Sequence, residues 1–560
     1  MVSKPVTSRS TWRSVLLISL AACGGAQRAG GAADLVLLGG DVHTMDPAHP
    51  RAAAVAVRGE TIAAVGDDAD VRGWIGPHTR VVELHGASVT PGLVDTHCHL
   101  YELGSEREAV NLRGMTSEAE IARAVAAAAS AQPAGAWVIG RGWDQNRWTP
   151  AQFPTRASLD AVVVDHPVVL ERIDGHALWV DSQALALAGI TAQTPDPPGG
   201  KIVRDARGEP TGVLVDRATA LVGAKLPRAS AEVRERRILA AAREAVAAGL
   251  TGVGEMGIED ATAEVYARLA AEHRLPLRVY AFLLGDTAHP EVLRARHPAP
   301  AVGRFEMPGV KFFADGALGS RGARLYADYD DDPGNRGLWV TEPAVLARAV
   351  DDAVAGGWQV AIHAIGDAAV GSVLDAYLAA EAAHPGDHRL RVEHLQILAP
   401  GDLPRLVAAH AIASMQPTHA TSDMPWAEAR IGKARITGAY AWRTMLDHGV
   451  PLAFGSDFPV EQVSPLLGIY AAVTRQDAAG SPAGGWYPAQ RMTLDEAIAA
   501  FTRGAAYAER AEATRGVIAV GRAADLTVFD RPLAPDRSLL ETRAAMTVVG
   551  GEIVYPLAER

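Results

Sequence analysis

His97, His99, Lys311, His363, His394 and Asp457 have the types and the order that build a metal site. The densest piece is PGLVDTHCHL, residues 91–100. Read as a strand, its side chains alternate with period two, so His97 and His99 share a face and Cys98 points the other way. Two neutral imidazoles side by side at a strand end are half of a divalent-metal site. Alone, His-x-His describes two surface histidines equally well. Further along, AIH closes an apolar run at His363, VEH at His394 and FGSD at Asp457. VKFF sets Lys311 inside an apolar run, where an unpaired ammonium is costly to bury. By itself Lys311 reads as the cationic half of a buried ion pair with Asp315, and any single histidine as a satisfied core residue. Four histidines, a lysine and an aspartate, each at the C-terminal end of a strand, read jointly as one metal centre.

The elements that position these residues follow a repeat. Strand-like runs at 91–100, 251–255, 277–284, 310–313, 359–363, 390–393, 412–415 and 452–454 alternate with alanine-rich helical stretches such as 344–355 and 370–383. Repeated strand–helix units predict an α/β fold, a parallel (β/α)8 TIM barrel whose chemistry sits at the C-terminal strand ends. An open doubly wound sheet would call for a Gly-x-Gly-x-x-Gly turn after the first strand, which is missing. The interval from His99 to Thr251 is out of scale. Residues 105–240 are therefore expected as an α+β insertion after the first barrel strand, with strands near 137–140, 168–171, 201–204 and 211–215, forming a lid or cap over the mouth. Short apolar or alternating runs at both ends of the chain predict a small β-sandwich from residues 33–90 plus 511–560, leaving 91–510 as the barrel.

Composition sets the class. A hydrophobic content of 48% with 21% charged residues is that of a folded globular chain, and 560 residues exceed one ordinary domain. A formal charge of −12, with no basic stripe, argues against nucleic acid and leaves a small-molecule substrate, with self-association into a homo-oligomer left open. At the N-terminus Lys4, Arg9 and Arg13 precede a short apolar run that ends in Leu20-Ala21-Ala22-Cys23. The run is shorter than the roughly 20 residues that span a bilayer. It resembles a bacterial lipobox: 1–22 a signal peptide, Cys23 the lipidated mature N-terminus, 23–32 a linker. That places the protein in the cell envelope, lipid-anchored at a periplasmic or other extracytoplasmic face.

The order His-x-His, Lys, His, His, Asp resembles the amidohydrolase superfamily of urease-like metal-dependent hydrolases. GWDQ at 142–145, DGHA at 174–177, DGALGSR at 315–321, HAIGD at 363–367 and MQPTHATSDMPW at 415–426 are similar to its amidohydrolase 3 branch, which includes N-substituted formamide deformylases. The resemblance implies that His97, His99 and Asp457 bind one divalent metal and His363 and His394 a second, with a carboxylated Lys311 between them. Zinc is the first choice, and a single-metal site remains open. It implies hydrolysis of a C–N, amide-type bond in an N-acyl or N-formyl amine. Metal-bound hydroxide attacks, and Asp457 carries a proton to the leaving amine. Trp143, His176, Arg321, His419 and Trp426 are candidate substrate contacts. Packing or structural roles compete at each, and Glu255 and Glu393 are expected beside the strand ends. Two other readings stay open: a non-catalytic lipid-anchored metal- or ligand-binding protein, and an isomerase or decarboxylase using the same metal site.

The lipobox carries its own test. Full-length protein is expected to partition with membranes, and Cys23→Ala to be released or left unprocessed. Wild-type protein found free in the cytosol with Met1 intact contradicts the anchor.

Overall fold

The computed structural model of the chain describes residues 31–556. The expected signal peptide at 1–22, Cys23 and nearly all of the expected 23–32 linker lie outside the described residues, as do residues 557–560.

Eight parallel strands pair in sequence order: β1 (Leu93–Cys98), β2 (Leu250–Ile258), β3 (Arg278–Leu284), β4 (Phe305–Phe313), β5 (Gln359–Ala364), β6 (Arg391–His394), β7 (Ile412–Met415) and β8 (Leu452–Phe454). They are the eight runs expected from the sequence, and the architecture is the (β/α)8 barrel. Strand alternation sorts their side chains. Val310, Phe312, Val360, Ile362 and Val392 join the large core beneath the helices. Lys311, Arg391 and Glu393 take the opposite face and meet His97 or one another inside the barrel. Lower in the interior, Met256, Tyr280, Phe282 and Ala361 form a small apolar cluster.

The segment after β8 closes the ring against β1. Asp457 N–H donates to the His97 carbonyl at 2.7 Å, and His99 N–H to the Phe458 carbonyl at 2.8 Å. Asp95, fully buried, accepts from the Ser456 N–H at 3.0 Å and from its hydroxyl at 2.6 Å. The two chains lie so close that a Cβ on Gly455 would stand 2.6 Å from Asp95 Oδ1 and 2.6 Å from His97 N. Ring closure and the placing of Asp457 beside the His-x-His pair are thus one set of contacts.

Strands from both termini build two further sheets. One has the order Thr61–Gly66, Ala54–Arg58, Leu35–Leu38, Arg80–Glu83. The other joins C-terminal strands to N-terminal ones, with Leu526–Phe529 antiparallel to Ser88–Pro91. Leu35, Val55 and Val57 from the first pack with Val89, Leu526 and Val548 from the second, which makes the sandwich. Ser88–Pro91 runs straight on into β1, so the sandwich delivers the strand that carries the first two histidines.

After β1 the chain forms a six-stranded mixed sheet between Val110 and Asp216. The four expected strands are present. Val110–Asn111 and Ala177–Val180 are additional, the latter directly after the Asp174-Gly175-His176 turn. Trp143, Trp148 and Trp179 fill the core beneath this sheet.

Gly455→Ala is expected to destabilise the protein by about 3 kcal/mol, the range for forcing an atom into a packed core, because both neighbours are backbone or tied to it. Urea unfolding reads this directly. A midpoint unchanged from wild type would show that the closure is looser than drawn.

Candidate metal centre

All six expected residues meet at the C-terminal mouth of the barrel. His97 Nε2 lies 3.5 Å from Asp457 Oδ1, and His99 Nε2 lies 3.2 Å from the same oxygen. Ligand atoms of His97, His99 and Asp457 all fall within 4.8 Å of one another, as do those of His394, His419 and Asp457. The His394 ring stands 4.6 Å from His97 and 4.6 Å from His363, centroid to centroid. His363 remains outside both compact groups, its Nε2 turned toward the Gly316 carbonyl at 3.4 Å and Asp315 at 3.6 Å. His394 and Asp457 have φ of 70° and 63°, left-handed backbone that side chains other than glycine adopt at a cost and that concentrates at functional sites.

Two orphaned atoms test whether this donor set suits a metal. Among the described residues Asp457 Oδ1 and His419 Nε2 are buried without a hydrogen-bond partner, a costly state for polar atoms. A divalent cation held by two imidazoles and a carboxylate satisfies Oδ1, so the residues fit such an ion.

The electrostatics agree for three of the four histidines, with His99 the exception. Burial, joined by the Lys311 ammonium, lowers His97 to about 4. Burial and neighbouring imidazoles hold His363 and His394 well below the usual histidine range. These rings are therefore neutral, the form that ligates. For His99 burial also pulls downward, but Glu102 and Asp457 outweigh it and carry the ring up to about 9. Burial pushes Asp457 upward, yet His99, His97 and His394 hold its carboxyl well below the ordinary range.

Lys311 is buried and its Nζ sits 3.3 Å from His97 Nε2 and 5.2 Å from the Phe313 ring centroid. Burial lowers it to about 8. The ion pair with Asp315 is not made. The Asp315 carboxylate instead accepts N–H groups of Arg324 at 2.8 Å, Ile365 at 3.1 Å and Gly366 at 2.8 Å.

The centre opens into a cavity of about 920 Å³ lined by both the barrel and the insertion. His176, His419 and Trp426 line it as expected. His176 Nδ1 is 2.6 Å from Asp216 Oδ1, and its ring is 4.9 Å from that of His363. Two expectations need correction. Trp143 is fully buried in the tryptophan cluster, its indole N–H donating to the Leu170 carbonyl at 2.9 Å, so it packs the insertion rather than touching substrate. Arg321 pairs with Asp331 at 2.8 Å and is absent from the cavity wall.

Sequence reasoning missed other residues of the wall. Arg141 gathers Glu102, Glu106 and Glu171 within 3.4 Å, tying the insertion to the helix that follows β1. Asp423 accepts from the Tyr440 hydroxyl and Glu461 from the Ser422 hydroxyl. Below the ligands, Glu393, which was expected beside a strand end, is joined by Arg391, Ser414 and Gln416, all buried on β6, β7 and just beyond. For Arg391 the available signal was a charged residue two positions before Glu393 in an apolar strand, whereas Ser414 and Gln416 are uncharged and had no such signal.

Residues 80–555 match a model of the amidohydrolase family. A Bacillus subtilis (strain 168) protein named YtcJ is 36% identical over 530 residues, covering 92% of this chain and 98% of that protein. The N-substituted formamide deformylase of Arthrobacter pascens is 30% identical over 553 residues, covering 93% and 98%. Among solved structures, an uncharacterized metal-dependent hydrolase from Pyrococcus horikoshii OT3 superposes with a TM-score of 0.71 at 27% identity, over 93% of this chain and 99% of that one.

Proposed function

The chain belongs to the amidohydrolase family and is a metal-dependent hydrolase, and on that premise we propose that it cleaves an amide-type C–N bond in an N-acyl or N-formyl amine. The observation that carries this reading is Asp457, whose unpartnered Oδ1 stands where the Nε2 atoms of His97 and His99 converge. A divalent cation there, with zinc the first choice from the donor set, supplies an acidified water and a Lewis acid for the carbonyl. Asp457, ionised by its histidine neighbours, takes the proton of the attacking water and returns it to the leaving nitrogen. An amide nitrogen needs that proton, because an amide anion is too basic to depart unaided. His176 and His419 offer ring nitrogens to the acyl part, and Trp426 an apolar face. Further support comes from the deformylase relative, whose name specifies an N-formyl substrate. With an export signal at 1–22 and an anchor at Cys23, the reaction would take place at the extracytoplasmic face.

Lys311 supports a carbamate. Its amine points at the one His97 nitrogen that a metal needs, so an ammonium there competes with the ion. An unprotonated amine that adds to carbon dioxide and loses a proton becomes an anion with two acceptor oxygens, suited to lie between two cations. His363 and His394 would hold the second.

Asp457→Asn is nearly isosteric, and turnover is expected to fall by about a hundredfold or more, the range of a lost general base. Activity within a few-fold of wild type would move the proton transfer elsewhere, with His419 next. Release of amine together with formate or carboxylate from an N-acyl panel tests the bond type. Lys311→Ala is expected to bind less metal and to regain some on addition of a small carboxylate. Two metals in a folded Lys311→Ala protein end the bridging role.

A further inference from the structure

We infer that Arg391, Glu393 and Gln416 are positioning residues that fix the tautomers of His97 and His394 before any metal arrives, so that both rings present Nε2 to the centre. The inference rests on the metal-centre reading and concerns how the centre is held rather than what it cleaves.

The two bonds leave little freedom. Glu393 Oε2 lies 2.5 Å from His97 Nδ1, and both side chains are fully buried. A carboxylate only accepts, so Nδ1 carries the hydrogen and Nε2 keeps its lone pair. That Nε2 is the atom facing Asp457. For His394 the constraint comes by another route. Gln416 Nε2 donates to the Ser414 carbonyl at 3.3 Å, and a carbonyl cannot donate. The amide is therefore oriented with Oε1 toward His394 Nδ1, at 2.9 Å. Again Nδ1 carries the hydrogen and Nε2 is left for the metal.

Arg391 ties both arms together. Its Nε donates to Glu393 Oε1 at 2.6 Å, and its Nη2 reaches the Thr96 carbonyl at 2.8 Å and Ser414 Oγ at 2.9 Å. Thr96 precedes His97, so one guanidinium grips the backbone beside the ligand and the carboxylate that grips its ring. β7 carries none of the six expected ligands, yet Ser414 on that strand and Gln416 just beyond it share a face by period-two alternation. The strand's contribution is orientation.

Outer partners of this kind raise metal affinity by about 10–100-fold. The test is competition between a chelator and metal-stripped full chain for zinc, with the melting temperature of the stripped protein measured alongside. Gln416→Met keeps the length and loses the acceptor, and is expected to weaken zinc binding at least tenfold. Gln416→Glu restores an acceptor and should bind within threefold of wild type or tighter. Glu393→Met, which leaves His97 Nδ1 without its acceptor, should weaken binding similarly. Should Glu393→Met fail to fold, the Gln416 pair decides alone. Gln416→Met binding within threefold of wild type overturns the inference, as does a lowered melting temperature with unchanged affinity, which marks a merely structural role. Wild type that binds no zinc contradicts the metal reading instead, so the two failures are distinguishable.

Discussion

A carboxylate kept away from water inside the barrel is the interaction on which the rest depends. Glu393 has no solvent exposure and lies between the Arg391 guanidinium and the His97 ring. Burial pushes its carboxyl upward, but Arg391, His97 and Lys311 together hold it well below the ordinary range. A buried charge is tolerated only with such partners, and removing one partner of a buried pair typically costs about 3–5 kcal/mol. The interior therefore cannot be repacked one residue at a time. Arg391 also stands 4.9 Å from the Phe282 ring centroid, so the polar column rests on the apolar cluster below it and carries the ligands above.

Ring closure couples stability to the same point. Asp95 and Asp457 lie on segments that bond to each other, and the Ser456 contacts that shut the barrel also place the Asp457 carboxylate. The left-handed backbone at Asp457 is held by these surroundings. Local strain of this sort persists only where many neighbours agree, which fits a rigid barrel better than a loop.

The barrel was legible because parallel strands covered on both faces read as short apolar runs, and the ligands because they interrupt those runs at one end. Strand limits were less so. β4 begins at Phe305, five residues before the apolar run used to find it, since Pro308 and Gly309 break the pattern. The strand Ala177–Val180 was hidden behind a turn rich in chemically suggestive residues. Side-chain partnerships were beyond reach. Nothing local tells that Asp315 serves three backbone N–H groups instead of Lys311, or that Trp143 belongs to a tryptophan core while its neighbours Gly142 and Asp144 line the cavity. Those outcomes are set by residues far away in the chain, and only the assembled fold brings them together.

Diffraction at the zinc absorption edge from crystals of the zinc-loaded protein bears most directly on the metal centre. The strongest anomalous peak is expected about 2.0–2.2 Å from Nε2 of His97, Nε2 of His99 and a carboxylate oxygen of Asp457. A fully loaded protein whose strongest peak lies away from these three residues would contradict it.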